Sequence, residues 1–290
     1  NDAKLFFNKK NFTVPELIIL KKNNEFLVSG NLNNQNLNLD EKEIKNFISD
    51  EFLKKNLKEI TFDTKSNFSF KLDKNFKFKD FDLESIINLN YLKLNNFLKL
   101  KTNFPNINNI IVFKNHNIKL EYRKKNLNII GSGNIFLQEA PDIFQYNLTK
   151  NKKEFVFDTN LKISKNSFVI DLLNYEKNEE SILDLSLKGK LNGSDIFLKE
   201  ILLSENKNIL SIKKLRLSRN YKINDIGNIQ INYVDKENLD NKIQILKDNN
   251  DYKIIGNSLN INKIISELLV SNNNNKQEFF NKDFKIFFDI

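Results

Sequence analysis

The chain has 290 residues, of which 40% are hydrophobic and 29% charged, the proportions of a folded protein rather than a disordered one. Seven glycines and three prolines exclude collagen-like and linker-like classes, and zero cysteines exclude a disulfide scaffold and thiolate metal sites. A net charge of +9 raises the question of nucleic acid, but lysines and acidic residues alternate along the same stretches, so dispersed charge and no nucleic-acid partner are expected.

Asn, Lys, Ile and Phe are abundant, as AT-rich codons would make them, so the 26 phenylalanines are weak evidence for an aromatic function. The lack of any Met points to a piece of a longer protein or a processed form. No run approaches the ~20 apolar residues that span a bilayer, so a membrane anchor would lie outside this stretch.

Residues 1–39 read as two or three short strands, with Pro15 at a strand start and Gly30-Asn31 as a turn. From Asp40 the apolar period lengthens. Ile44, Phe47, Ile48 and Phe52 sit at helical spacing behind Asp40 as N-cap and Glu43 three residues on. That spacing predicts a helix over about 41–55 with the four side chains inward. Strands resume at Ile60 and Phe62, then at Phe68, Phe70 and Leu72, at Phe76 and Phe78, and at Leu92 and Leu94. Pro105 interrupts. Ile118–Tyr122 and Leu127–Leu137 follow as strands. Gly131-Ser-Gly133 has a strand rather than a helix after it, so it reads as a turn or bulge and not a phosphate loop. The polar run 147–153 is a boundary between a first half, 1–146, and a second, 154–290.

In the second half Phe155 and Phe157, Phe168 and Ile170, and then Leu183, Leu185 and Leu187 alternate with polar residues. The pattern returns at Ile229, Ile231 and Tyr233 and at Ile243 and Ile245. Between Ile212 and Leu215 the parity slips at Lys213-Lys214, the signature of a β-bulge. Ile261, Ile264, Ile265, Leu268 and Leu269 predict a short helix over about 261–270, followed by an exposed loop at 271–278 and a last strand in FKIFFDI. Some fifteen strand-like runs joined at hairpin length, without helical crossovers, make the chain mainly β and antiparallel, with two short helices. The twelve alternating residues from Phe155 to Ile245 are expected to face one continuous apolar side.

Catalytic chemistry is hard to assemble. His116, the sole histidine, sits in the polar context KNHN and is expected at the surface. Asp80, Asp82 and Glu84 alternate, but as the solvated face of an edge segment rather than a paired-carboxylate site. No enzyme activity, no metal and no cofactor are expected.

The stretch LSLKGKLNGSDIFLKEILLSENKNILSIKKLRLSR, the strand pair after it and DYKIIGNSLNINKIISELL resemble the AsmA-like bacterial envelope proteins of the YhdP and TamB type. In that family a β-rich run reaches a G-x-x-L-(D/N) element before a short helix, matched here by Gly256-Asn-Ser-Leu259-Asn260. The resemblance covers roughly 60–290. It implies an elongated, curled antiparallel sheet, a β-groove, in the periplasm of Gram-negative bacteria. It further implies an inner-membrane anchor outside this stretch, a possible outer-membrane partner, phospholipid acyl chains as cargo and a part in envelope integrity. The alternative is a closed-core structural or adhesive β-repeat protein, because the same alternation describes any sheet whose inner face is core.

Overall fold

The computed structural model describes residues 3–7, 10–47, 51–97, 100–193, 195–218, 220–249, 251–263, 265–266 and 286–289. They form two compact units: Asn1–Leu98, Asn108–Leu137 and Ile143–Lys152 make the first, and Lys99–Ile107, Gln138–Asp142 and Lys153–Ile290 the second. The last cut falls at 152/153, within the polar run, while 99–107 and 138–142 belong with the second unit.

The first unit begins with β1 (Ala3–Phe7) and β2 (Lys10–Val14), an antiparallel pair. The edge strand β3 (Leu17–Lys22) pairs with β4 (Glu25–Asp40), which also meets β2 at Thr13 and Asn33. After α1 (Glu41–Phe47) and α2 (Glu51–Asn56), strands β5 (Leu57–Leu72), β6 (Phe78–Asn95), β7 (Ile110–Arg123) and β8 (Asn126–Phe136) continue the meander antiparallel in sequence order. Strand β9 (Asp142–Lys150) lies beside β8, where Thr149 Oγ1 donates to Asn128 Oδ1 at 3.3 Å. Gly30-Asn31 is no turn. It lies inside β4, where the chain corner at Glu16 comes so close that a Cβ on Gly30 would stand 2.5 Å from the Glu16 carbonyl oxygen.

The parity slips of this unit fall at one level of the sheet. Leu32 and Asn34 give way to Leu37 and Leu39 in β4, Leu89 to Leu92 in β6, and Phe113 to His116 in β7. Register shifts occur at Asn34/Leu37 and Lys114/Asn117, with Asn36 and Asn115 at φ 48° and 55°. Leu37, Phe62, Leu89 and His116 then oppose one another across four strands. Each extra residue turns the next apolar run back onto the same face, and asparagine tolerates the left-handed conformation this needs.

The Asp40–Glu43 capping box forms as the sequence suggests: the Glu43 N–H donates to Asp40 Oδ1 at 2.9 Å and the Asp40 N–H to Glu43 Oε2 at 3.1 Å. The helix expected over 41–55 is observed as α1 and α2. Ile44 is 1% exposed and packs among Leu37, Leu39 and Leu57, closing one end of the apolar face. The side chains of Phe47, Ile48 and Phe52 lie outside the described residues.

In the second unit β10 (Phe155–Ile163) leads to a small hairpin of β11 (Val169–Ile170) and β12 (Tyr175–Glu176), joined by a single 3-10 turn. Then come β13 (Leu183–Asn192), β14 (Asp195–Glu205), β15 (Asn208–Leu217), the short β16 (Ile223–Asp225), β17 (Asn228–Val234), β18 (Asp240–Asp248) and β19 (Asp251–Ser258). The pairs from β10–β13 through β18–β19 are all antiparallel, and β20 (Ile286–Asp289) adds a parallel pair on β19. The slip at Lys213-Lys214 is not the expected bulge: the register with β14 runs through it unshifted, and the chain instead kinks at Lys214, φ 56°, which leaves Ile212 and Leu215 packed in one cluster. Residues 262, 263, 265 and 266 are helical, with Ile261 and Ile265 each 44% exposed; the rest of the 261–270 segment and the loop at 271–278 lie outside the described residues. The chain is mainly β, an antiparallel sheet not closed into a barrel with two short helices.

Replacing Ile44 with Ala is expected to lower the unfolding free energy by about 2–5 kcal/mol, because it empties a site at the centre of a buried cluster. Asp40→Ala, which removes only the cap, is expected to cost about 1 kcal/mol. Urea denaturation followed by circular dichroism measures both, and an Ile44→Ala loss no greater than that of Asp40→Ala would contradict this packing.

Candidate functional site

Residues directly opposed across an antiparallel ladder project to the same face. Leu187 opposes Thr159 and Ile201, Leu185 opposes Leu161 and Leu203, and Leu191 opposes Phe155. Ile201 and Leu203 oppose Ile212 and Leu210, which in turn meet Ile229 and Ile231. Ile229 and Ile231 meet Ile245 and Ile243. The register therefore brings ten of the twelve sequence-selected residues to one face of the second unit: Phe155, Phe157, Leu183, Leu185, Leu187, Ile229, Ile231, Tyr233, Ile243 and Ile245. Phe168 and Ile170 are not among them. They sit in the insert between β10 and β13, Ile170 in β11 and Phe168 just before it, edge-on to Phe104 at 5.2 Å. Their alternation belongs to a separate hairpin, which period two alone cannot distinguish from a strand of the main sheet.

The face has two ends of different character. Phe155, Phe157, Leu185, Leu187, Ile229 and Ile245 are half-buried, whereas Leu183, Ile231, Tyr233 and Ile243 are buried. The insert covers the buried end. The Tyr175 ring stands edge-on to Tyr233 at 5.7 Å, the Tyr233 hydroxyl donates to the Leu173 carbonyl at 2.5 Å, and the Lys236 N–H donates to the Asn174 carbonyl at 3.0 Å.

Beneath the insert lies Glu205, 2% exposed, continuing the parity of Leu203 onto the apolar face. Its carboxylate accepts from the Tyr175 hydroxyl at 2.6 Å, the Asn178 N–H at 2.7 Å, the Ser181 hydroxyl and Asn208 Nδ2 at 3.3 Å. Four donors satisfy a charge that would otherwise be costly to bury. Burial, with the Glu205 hydrogen bond and charge behind it, pushes the Tyr175 hydroxyl upward, and burial raises Tyr233 to about 12. Burial likewise holds the Lys177 ammonium below its usual value, although it donates to the Ser164 and Asn178 carbonyls at 2.6 and 2.8 Å. Sequence reasoning passed over Glu205. The available signal was a lone carboxylate at an apolar parity position.

Asn260 of the G-x-x-L-(D/N) element has a definite structural part. Its N–H donates to Asn241 Oδ1 at 2.7 Å and its amide to Asp235 Oδ2 at 2.8 Å, tying the chain after β19 to the β17–β18 turn.

The first unit carries a comparable face. Phe62, Phe68, Phe70, Leu83, Ile87, Ile118, Leu120 and Ile129 lie on it half-buried. Across its middle Thr64, Ser66 and Ser85 share mutual hydrogen bonds of 2.7–3.0 Å and are buried. His116 is not at the surface. It is 1% exposed, on the inward side of β7, held between Asn134 and Tyr146 and against Gly133, where a Cβ would come within 2.4 Å of the imidazole. Gly131 likewise makes room for the Tyr146 ring; the glycine pair sits mid-strand, with Gly133 opposite the bulge at Asn115-His116, so of turn and bulge the bulge is what forms. Polar neighbours in sequence concealed this, because the bulge at Asn115 reverses parity just before His116.

In each unit the opposite face is charged and carries many ion pairs. Lys93 pairs with Glu59 at 3.0 Å, Lys190 with Glu154 at 3.0 Å and Lys213 with Glu200 at 3.7 Å. Asp80 pairs with Lys71 at 2.9 Å and Glu84 with Arg123. Among the described residues no three metal-capable side chains come together, and no helix is long and apolar enough to cross a membrane. What the site offers chemically is apolar surface.

Compared with known proteins, the chain matches no family model, no curated protein and no solved structure. The AsmA-like resemblance therefore rests on the sequence features alone.

Burial holds the His116 pKa below 6.5, the Asn134 carbonyl opposing it only in part. The unfolded chain thus binds a proton at a pH where the native state does not, and stability is lost as pH falls from about 6.5 through the lowered native value. In His116→Gln that step is expected to vanish. Urea unfolding of both proteins from pH 7.5 to 5 measures it, and identical slopes would contradict a buried neutral imidazole.

Proposed function

We propose that the chain is a non-enzymatic, lipid-carrying segment whose apolar sheet face receives phospholipid acyl chains. The supporting observation is the register-matched apolar face of β10, β13–β15, β17 and β18, left half-buried over Phe155, Phe157, Leu185, Leu187, Ile229 and Ile245. The only other sheet among the described residues is the two-stranded insert, which covers the far end. Each methylene withdrawn from water contributes about 0.8 kcal/mol, so such a face holds an acyl chain without any reacting group. The periplasm, the anchor in the inner membrane and a destination at the outer membrane come to this proposal from the AsmA-like resemblance.

A closed-core structural protein is the second reading. The observation favouring it is the burial of Leu183, Tyr233 and Ile243 at the end of the face that the insert covers, with Tyr175 of the insert buried against Tyr233. The two readings part at the half-buried end.

Leu187→Asp should leave a cooperatively melting protein, because the side chain still reaches water, yet cut lipid photo-crosslinking from a reactive amino acid at Ile229 by about tenfold, since an ion is costly in an apolar path. Ile231→Asp, at a buried position, should collapse the fold. Absence of lipid crosslinks in the unmodified protein, with Leu187→Asp unfolded as well, would overturn the acyl path in favour of the closed core.

A further inference from the structure

Three hairpin tips of the first unit meet at one end of its sheet: Lys22–Glu25, Asp73–Lys77 and Arg123–Asn126. The register places Phe26 opposite Leu72 and Leu83 opposite Tyr122, and Lys79 lies 4.0 Å from Glu25. The Lys124 N–H reaches Asp82 Oδ1 at 3.4 Å.

A row of rings runs across this end. Centroid separations are 6.1 Å for Phe68–Phe70, 4.7 Å for Phe70–Phe78, 5.6 Å for Phe78–Phe81 and 5.8 Å for Phe81–Tyr122, and Phe76 stacks on Phe26 at 5.9 Å. Two of these rings stand in solvent: Phe78, within the row, is 59% exposed, and Phe76, beside Phe26, is 71% exposed. Phe76 is at φ 59°, a conformation that bulky residues rarely adopt. Its turn is firmly built. Asp73 Oδ1 accepts the N–H of Asn75 at 2.9 Å and of Lys77 at 3.0 Å, and the Asp73 carbonyl accepts that of Phe76 at 2.9 Å. Glycine or asparagine would suit that position better, so the phenylalanine is held out against a local cost.

The charge at this end is lopsided. Asp73 and Glu25 are taken up by Lys79, Asp80 by Lys71 and Glu84 by Arg123, while Asp82 accepts the Lys124 N–H. Lys22, Lys74, Lys77, Lys124 and Lys125 remain exposed without a carboxylate partner among the described residues, as does Lys21, whose ammonium lies 6.0 Å from the Phe26 ring. The expected even dispersal of charge holds for the outer face but not here, because three turns separated in sequence converge.

We infer that this hairpin-tip end docks onto the headgroup layer of an anionic lipid bilayer, with Phe76 and Phe78 entering the interface and the six lysines facing anionic headgroups. Exposed aromatic rings ringed by snorkelling lysines fit a membrane–water interface, which is apolar on one side and negatively charged on the other. A single-stranded nucleic acid fits less well, since it needs several free ring faces for successive bases and the rings behind Phe76 and Phe78 are packed on one another. The inference deepens the lipid reading and rests on it only for choosing a bilayer as occupant.

Flotation of the whole chain with phosphatidylcholine vesicles, with and without phosphatidylglycerol, tests it. Binding is expected only with phosphatidylglycerol, and it should fall away at high salt. The quadruple variant Lys74→Glu, Lys77→Glu, Lys124→Glu, Lys125→Glu should lose roughly tenfold or more of the bound fraction. Phe76→Gly should lose vesicle binding while keeping or raising Tm, because glycine relieves the left-handed residue. Both variants should retain acyl crosslinking at Ile229 with detergent-dispersed lipid, which separates failure at the tips from failure of the acyl path. Vesicle binding that survives both variants, no flotation of the unmodified protein with phosphatidylglycerol, or lysine-variant effects confined to single-stranded RNA binding would each overturn the inference.

Discussion

The constraint on which this structure depends is register. In an antiparallel sheet a residue and its direct partner share a face, so an apolar face exists only while every neighbouring strand keeps its apolar parity in step. A one-residue slip in one strand would send its leucines to water and its lysines inward. Here the slips are matched: Asn34/Leu37, Leu89/Leu92 and Phe113/His116 fall side by side, and the face continues through them. Bulges in this protein preserve the apolar surface rather than interrupt it.

Polar groups on the apolar faces of the two units, Thr64, Ser66 and Ser85 in the first and Glu205 in the second, are tolerated because each of these four has partners. Thr64, Ser66 and Ser85 exchange hydroxyl hydrogen bonds, and Glu205 collects four donors. Burying one carboxylate commits Tyr175, Asn178 and Ser181 of the insert to a single position over the sheet. The insert thereby covers the end of the face where Leu183, Tyr233 and Ile243 are buried, while Leu185, two residues along from Leu183, and Leu187 and Ile229, four along from Leu183 and Tyr233, are half-buried. The same pattern of alternation thus yields fully buried core at one end and, toward the other, half-buried side chains, of which Phe157, Leu187 and Ile229 pack against the buried Leu198, Leu215 and Ile226.

Much of the architecture was legible in the residues. Alternation marked the strands, the Asp40–Glu43 spacing marked the cap of the first helix, and the parity slip at Lys213-Lys214 marked an irregularity, which is a kink and not a bulge. Four things were not. His116 sits among polar neighbours yet points inward, since Asn115 reverses the parity. Gly30-Asn31 carries turn residues but lies mid-strand, because Gly30 answers to the Glu16 carbonyl, and the bulge opposite Gly133 was legible only as one of two readings, since the His116 and Tyr146 rings that the glycines admit come from other strand positions. Phe168 and Ile170 alternate like their neighbours but belong to the insert. Finally, Lys21 and Lys22, and Lys74 and Lys77, are unremarkable pairs in sequence, and although Arg123–Lys125 stands out as a basic group, nothing local shows that the three meet.

The sequence by itself determined which side chains each strand presents on either face, because period two is a local property of an extended backbone. It also determined the helix start and the scarcity of reactive groups, both of which depend on residue type at short spacing. Only the tertiary structure decided which faces are covered, which strands align their slips and which turns meet. Those outcomes depend on partners tens of residues away, such as Tyr175 with Glu205 or Lys79 with Glu25, and no local pattern encodes a distance across the chain.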